Sequence, residues 1–407
     1  MPSNSSLYLI TKLINFEGVK ATDYHIITDN EILITLENQT SESTCPHCHA
    51  ITNKIHQAHY YRIRDIPLSG YDVFLKINRR QFRCINCQKI FSEELNFVKK
   101  RRTYTTRLAE KVVKEVLESD MVNTAKRNGM TPREIETLLK EKSEDLLEEK
   151  PKGLKRLGID EITHLKGGKN YAAVLVDLDQ KKPIAILENR SKETIGKYLR
   201  SLGYEVLNQI EEVSIDLWIG YKTLALELIP NANIVADRFH VMKQINKELD
   251  LMRKKQKRVA ERIKNKEERE EKIEGLKNSK YPLLKKKEKL NEVEKEKLEE
   301  VKKVAPELIT MYAKKEAWRD IFESEITADE ALDKIAEWMK SAQKYFPKSC
   351  QTIRRWLNEI LGYFDNRTSQ GIVEGINQKI KLIKRRAYGM TNFDNFRRRI
   401  LLNWFVS

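Results

Sequence analysis

Three acidic side chains far apart in the 407-residue chain, Asp160, Asp216 and Glu374, are of the type that supports phosphoryl chemistry. Carboxylates are hard oxygen ligands that suit Mg²⁺, which keeps waters and phosphate oxygens in its other positions. A trio on separate elements can hold two such ions (Mg²⁺, or Mn²⁺) about 3.5–4 Å apart, one activating the attacking oxygen and one stabilising the leaving oxygen. A second chemistry is written in the cysteines. Four of the five form two Cys-x-x-Cys pairs, Cys45/Cys48 and Cys84/Cys87, while Cys350 stands alone. Two such knuckles close a tetrahedral Zn²⁺ site without an open position, so the expected role is structural and a zinc hydrolase is disfavoured. His47, His49, His56 and His59 crowd the first knuckle, and one of them can replace a cysteine as ligand.

The acids need elements to position them. Residues 213–241, VSIDLWIGYKTLALELIPNANIVADRFHV, read as strand, helix, strand. Val213, Ile215 and Leu217 alternate with Ser214 and Asp216, the period of a half-buried strand. Leu224, Ala225 and Leu228 follow at helical spacing, and Pro230 with Asn231 closes the helix. Ile234, Val235 and Ala236 suit a central parallel strand. A right-handed crossover puts both strand ends on one edge, where open sheets build sites, so Asp216 and Asp237 belong there. A single Asp at such an end equally suits a helix cap; convergence with other acids is what favours chemistry.

Upstream, LKRLGIDEITHLK, YAAVLVDLD and PIAILENR predict three antiparallel strands, the first two joined by a turn at Gly167–Asn170. A helix over Lys192–Leu202 ends at Gly203. This is the order of a ribonuclease H-like sheet, in which the first strand lies beside the fourth and Asp160 beside Asp216. Glu374 falls on a helix beginning near Ser369. Ile376, Ile380, Ile383 and Ala387 form its buried stripe, and Glu374, Gln378, Lys381 and Arg385 occupy another face. Gly371 and Gly375 flank the acid and weaken the helix by roughly 1 kcal/mol each relative to Ala, which points to close approach of a backbone or ligand.

The remaining chain reads as modules around that sheet. Residues 6–40 predict a small β region with a hairpin at Asp29-Asn30. The strand-like stretch between the knuckles carries Arg62, Arg64, Arg79, Arg80 and Arg83, either a DNA-docking surface or a solvated face. After the basic KKRRTYTTR, a helix on Leu108, Val112, Val113, Val116 and Leu117 precedes a short helix at 122–127. The turn Asn128–Thr131 then leads into a helix opened by Pro132. That is the helix-turn-helix pattern, with Thr131, Arg133 and Glu134 beginning the recognition helix, although any three-helix unit can look the same. SEDLLEEKPKG reads as an acidic linker.

From Val241 to Gly362 the pattern is helical. A stripe of Ile245, Leu249, Met252, Val259 and Ile263, broken at 278–282 and followed by a charged helix over 284–304, predicts a long antiparallel hairpin. Trp318, Trp338 and Trp356 are expected to pack. The fold class is multidomain α+β: a zinc-binding β module (1–98), a helix-turn-helix domain and linker (99–150), and a ribonuclease H-like catalytic domain (151–243 and 364–407) interrupted by a helical insertion (244–363). A formal charge of +16 favours a polyanionic partner, nucleic acid before membrane, and 40% apolar residues suffice for real cores. No run of about 20 apolar residues and no signal-peptide pattern occurs, which predicts a soluble cytoplasmic, nucleoid-associated protein.

GIDE, VSID, ADRFH and above all QGIVEGINQKIKLIKRRAYGMTNFDNF resemble the transposases of bacterial insertion sequences, of the DDE (ribonuclease H-like) type and the ISL-three group. The resemblance spans nearly the whole chain. It implies a DNA transposase that binds the terminal inverted repeats of an insertion sequence and catalyses Mg²⁺-dependent cleavage and strand transfer. By that likeness Asp160, Asp216 and Glu374 are the first, second and third catalytic acids. Asp237 competes as second acid, because related groups carry an acid near a His at this strand; Asp216 is favoured because the fourth strand borders the first. His240 is then auxiliary, contacting DNA or ordering the site, or else a satisfied structural histidine.

The expected DNA contacts are Arg79, Arg80, Arg101, Arg102, Thr131, Arg133, Lys381, Lys384, Arg385 and Arg386. The implied partners are double-stranded DNA, as terminal repeats and as target, and a second copy of the chain on that DNA. The alternatives are a transposase-derived regulator that binds without cutting, which has no need of the triad, and a nuclease on the same fold, which cuts without joining.

Overall fold

Strand-forming residues around the two knuckles build a sheet in the N-terminal third. Helix α1 (Asn4–Ile14) precedes strands β1 (Val19–Thr28), β2 (Glu31–Asn38), β3 (Ser43–Thr44), β4 (Ile51–Thr52), β5 (Ile55–Arg64), β6 (Asp72–Arg83) and β7 (Ile90–Ser92). The computed structural model describes residues 2–164, 171–368, 371–388 and 390–405. The sheet order is β1-β2-β6-β5, with β7 also on β6. β1 and β2 form the expected hairpin, Thr28 facing Glu31 across Asp29-Asn30. Helix α1 departs from the expected all-β start. Its β-branched residues hide the helical period, and the helix is set by the Ser3 hydroxyl capping Ser6 N–H and by Ile14 entering the core.

Three helices follow: α2 (Thr106–Glu118), α3 (Met121–Arg127) and α4 (Pro132–Glu148). The five apolar residues expected on α2 are the five it buries. α4 runs on to Glu148, so the first half of the expected linker is helix; no breaker stands before Pro151.

The first unit holds the chain up to Glu144 together with short segments that begin at Arg385 and Phe405; residues Asp145–Lys384 and Met390–Trp404 form the second. Its strands are β8 (Arg156–Thr163), β9 (Tyr171–Asp177) and β10 (Lys182–Leu187). Helices α5 (Lys192–Leu202) and α6 (Tyr204–Asn208) lead to β11 (Glu212–Ile215), α7 (Ile219–Leu228) and β12 (Asn233–Ala236). The sheet order is β10-β9-β8-β11-β12, the first three antiparallel and β11 parallel to both of its neighbours. The expected turn at 167–170 lies outside the described residues. β11 is buried on both faces, Ser214 included, instead of half-buried, because strands and helices cover it on every side; the strand stops at Ile215, before Asp216 and Leu217.

Helices make up the rest: α8 (Arg238–Glu261), α9 (Lys266–Leu276), α10 (Lys280–Leu284), α11 (Glu292–Val304), α12 (Pro306–Glu323), α13 (Ala328–Ala342), α14 (Pro347–Arg355), α15 (Leu357–Leu361), α16 (Tyr363–Asn366), α17 (Gly371–Arg386) and α18 (Phe393–Phe405). The expected two-helix hairpin is instead several helices. α8 stops at Glu261, Asn265 caps α9, and an Asn291–Glu294 capping box starts α11 at Glu292, later than expected. Val259, assigned to the apolar stripe, is exposed. Trp318, Trp338 and Trp356 are buried, as expected of packing residues.

One core joins Leu157, Ile159, Val213 and Ile215 of the sheet to α8 and the helices after it. The other face of the sheet, through Ile162, Val174 and Val176, packs on Val373, Ile376 and Ile380 of α17 and on Phe396 and Ile400 of α18. The expected helix start at Ser369 lies outside the described residues, and Ala387 falls past the end of α17, half-buried. Among the described residues no helix is long and apolar enough to cross a membrane.

Candidate metal centre and acidic cleft

The two knuckles are copies of one another. Cys45 N–H donates to Ala50 and His49 N–H to Cys45; Cys84 N–H donates to Lys89 and Gln88 N–H to Cys84. His49 and Gln88 both sit at φ 60°. The two copies bring Cys45 to 3.6 Å from Cys87 and Cys48 to 3.4 Å from Cys84, sulfur to sulfur. Tetrahedral Zn–S bonds of about 2.3 Å place sulfurs about 3.8 Å apart, so the four fit a zinc ion. The Cys87 N–H donates to Cys84 Sγ and lowers that thiol, while Cys87 in the same cluster is raised, so the four sulfurs share their protons until a metal replaces them. Among the described residues this tetrad is the group of His, Cys, Asp and Glu whose ligand atoms all lie within 4.8 Å of one another, and no histidine is part of it.

The acids are spread more widely. Ile159, Ile215 and Ala236 face one another in register on β8, β11 and β12, so the next residues, Asp160, Asp216 and Asp237, stand side by side at the carboxyl edge. Asp237 N–H still donates to Ile215 O (2.8 Å), which continues the ladder by one rung. Asp160, Asp237, His240 and Glu374 line one cleft of ≈ 480 Å³. Asp216 lines an adjoining cleft of ≈ 420 Å³, and His240 and Lys243 line both.

Each acid has a distinct setting. Asp160 Oδ2 accepts from Asn377 Nδ2 at 2.7 Å, which ties β8 to α17 one turn beyond Glu374. Gly158 permits that approach: a Cβ there would lie 2.8 Å from Val373 Cγ2. Asp216 Oδ1 accepts from Trp218 N–H (3.1 Å). Asp237 caps α8 through Phe239 N–H, and its other oxygen accepts from His240 Nδ1 at 2.9 Å. Glu374 is exposed on α17. Among the described residues Gly375 meets nothing within 4 Å, so no close backbone there explains that glycine.

Burial and crowding set the electrostatics. Asp160 is raised, first by burial and then by the charges of Asp237 and Glu161. Asp216 is pushed up to about 6 by burial, with Glu161 and Asp160 adding to it. His240 is raised by its hydrogen bond to Asp237 and by the charges of Asp237, Asp216 and Asp160. A half-dry place holding this many carboxylates is one a divalent cation would relieve.

Sequence reasoning missed Asn377, Glu161 and Arg190. Glu161 ion-pairs with Arg190, whose guanidinium lies 4.7 Å from the Tyr171 ring centroid. The signal for Asn377 was its position three residues past Glu374 on one helix. Asn377→Ala is expected to slow turnover about 10–100-fold, the usual effect of losing a residue that orients a ligand. A rate within two-fold of wild type, at saturating metal, would refute that role.

The expected DNA contacts divide. Arg80 ion-pairs with Glu93 and donates to Thr40 O, and Arg79 donates twice to Glu93 O; both brace the zinc module and have little left for a phosphate. Arg102 pairs with Glu141. Lys384 donates to Thr163 O. The Thr131 hydroxyl is held in a capping box with Glu134. Arg101, Arg133, Lys381, Arg385 and Arg386 are exposed.

Residues 41–87 match the family model described as the zinc-finger of transposase IS204/IS1001/IS1096/IS1165, and residues 157–400 match the ISL3-type model described as transposase. Zinc module and acidic sheet thus carry the same class assignment. The chain belongs to the ISL3 transposase family. It is 26% identical over 393 residues to the transposase for insertion sequence element IS1001 of Bordetella parapertussis, covering 93% of each chain. It is 30% identical over 255 residues to the transposase for insertion sequence element IS1557 of Mycobacterium tuberculosis, covering 58% of this chain and 57% of that one.

Proposed function

We propose that Asp160, Asp216 and Glu374 are the catalytic triad of a DNA transposase that binds the terminal inverted repeats of an insertion sequence and carries out Mg²⁺-dependent cleavage and strand transfer. The observation that supports this reading is that Asp160 and Asp216 directly follow Ile159 and Ile215, which pair in register on neighbouring parallel strands, with the helix of Glu374 tied to Asp160 through Asn377. The strand order suits a ribonuclease H-like domain. Asp237 is already engaged as a cap and as the partner of His240, so we assign the second acid to Asp216 and an ordering role to Asp237 and His240.

When bound, two Mg²⁺ ions (or Mn²⁺) supply Lewis-acid activation of the attacking oxygen and charge relief on the leaving one. The chain's own residues do the rest. Asn377 holds one oxygen of Asp160, which lines the cleft. Lys381 and Lys243 line the cleft and orient the phosphate backbone electrostatically. Water opens a phosphodiester at the element's end, freeing a 3′-hydroxyl, which then attacks a phosphorus of target DNA and displaces a strand oxygen. The zinc module and the α2–α4 unit, read as a helix-turn-helix with Arg133 exposed at the start of α4, grip the repeat. Because phosphate contacts release counterions, binding weakens steeply with salt. A homodimer follows from the need to bring two ends together.

The purified chain, incubated with Mg²⁺ and linear DNA carrying an element end, is expected to give nicks at that end and joined products on a denaturing gel. End-independent nicking without joining would indicate a nuclease, and binding without nicking a regulator.

The metal has its own signature in stability. Asp216 titrates about 6 in the fold against an ordinary 3.8, so its ionisation costs stability that builds between those values and is complete above them. His240, raised, contributes stability below its ordinary pKa that is lost as pH rises through its folded value. Both make the metal-free protein less stable toward alkaline pH. Mg²⁺ is therefore expected to raise the melting temperature more at about pH 8 than at about pH 5. An equal or reversed shift in differential scanning fluorimetry would count against a cation at these acids.

A further inference from the structure

Beside the catalytic cleft lies a second one, of whose lining Asp216, His240 and Lys243 already carry a role. Its ≈ 420 Å³ falls within the roughly 300–1,000 Å³ of ligand pockets. Two indoles, Trp218 and Trp356, line it together with four cations, Arg190, Lys243, Lys247 and Arg355.

Trp218 is a fixed platform. Its backbone N–H is held by Asp216, its ring meets Tyr221 edge-on at 4.6 Å, and Gly220 lies against it so closely that a Cβ there would come within 2.4 Å of the indole. The ring is half-buried, while Trp356 beneath the cleft is almost fully covered. Lys243 and Lys247 are exposed one turn apart on α8, and Arg355 is exposed at the end of α14. Among the described residues none of these three makes an ion pair, although Arg253 and Lys254 further along α8 both pair with Asp250.

The combination selects its ligand. Arg190, paired with Glu161, sits toward the Trp218 ring at 5.9 Å. A simple anion has no use for a rigid indole, and an apolar peptide gains nothing from Lys243, Lys247 and Arg355. An indole face for a base and separate cations for flanking phosphates are the parts of a single-stranded nucleic acid site. Paired DNA keeps its base faces stacked and cannot use the platform.

We propose that this cleft holds an unpaired nucleotide of the DNA strand passing Asp216, its base stacked on Trp218 and its neighbouring phosphates on Lys243, Lys247 and Arg355. The proposal rests on the reading of the acidic edge as a DNA-cleaving site.

The full-length protein is mixed, without divalent metal, with a short single-stranded oligonucleotide carrying 5-iododeoxyuridine and irradiated; the cross-linked peptides are then mapped. A cross-link at Trp218 or Trp356 is expected. It should fall about ten-fold or more in Trp218→Ala, the scale of losing one stacking contact, and largely return in Trp218→Phe. Lys243→Gln with Lys247→Gln should reduce it and flatten its salt dependence. Cross-links confined to other residues in the wild-type protein would overturn the proposal, with no reliance on a variant's folding. Because the assay needs no metal, a chain that cleaves DNA but shows no cross-link here loses only this pocket. A chain that cross-links here but never cleaves loses the catalytic reading instead.

Discussion

Asp160→Asn is expected to lower end cleavage and strand transfer by about a thousand-fold or more, the scale on which removing one preorganised electrostatic group acts. The substitution keeps shape, so Asn377 can still donate to the remaining carbonyl oxygen and the tie between β8 and α17 survives. What disappears is one negative charge from a place where Asp237 and Glu161 already raise the carboxyl. The metal-free variant should therefore melt no lower than wild type, and DNA binding should hold or tighten slightly. That separates lost chemistry from lost folding. Asp216→Asn should behave alike, whereas Asp237→Asn should cost only about 10–100-fold, as a residue acting through His240. Gel assays of strand transfer decide the point. Joining retained in Asp160→Asn refutes the triad, and a larger loss in Asp237→Asn than in Asp216→Asn exchanges the second acid.

Cys45→Ser should have an effect of a different kind. Structural zinc contributes about 10–16 kcal/mol in small modules, as much as or more than the roughly 5–15 kcal/mol of a whole domain. The tetrad packs with Phe82 and Phe91 and has little other apolar core of its own. Losing one thiolate should empty the site of zinc, expose the knuckles to protease, and weaken repeat binding. The second unit, Asp145–Lys384 with Met390–Trp404, keeps its own cores and should stay folded. Zinc analysis with limited proteolysis reads both parts. Stoichiometric zinc and unchanged cleavage patterns in Cys45→Ser would remove the metal from these four sulfurs.

Much of this was legible in one dimension. The zinc knuckles depend on short-range spacing, and two Cys-x-x-Cys pairs leave few ways to fold. The α2 stripe and the order of the sheet elements were equally local, since period and breakers are written residue by residue. Where longer context decided, the reading shifted. The α1 helix hid behind β-branched residues, β11 was buried on both faces despite its alternating pattern, and the charged helices broke at caps inside a repetitive Lys/Glu field.

The roles of single polar residues depended most on three dimensions. Arg79 and Arg80 look like free cations in sequence, yet Glu93, brought in by β7 pairing on β6, claims both. Asp237 competes in sequence as the second acid, and the fold shows what its two oxygens do: they accept from Phe239 N–H and His240. Sequence by itself determined which residue types this protein has for metal and phosphate chemistry, and the strands and helices that carry them, because those follow from local spacing. Only the tertiary structure decided which of them face one another. Register between β8, β11 and β12 arises from pairing of strands far from adjacent in the chain, and the closeness of α17 at Gly158 from packing against a segment more than two hundred residues away; for neither does the chain carry a local signal.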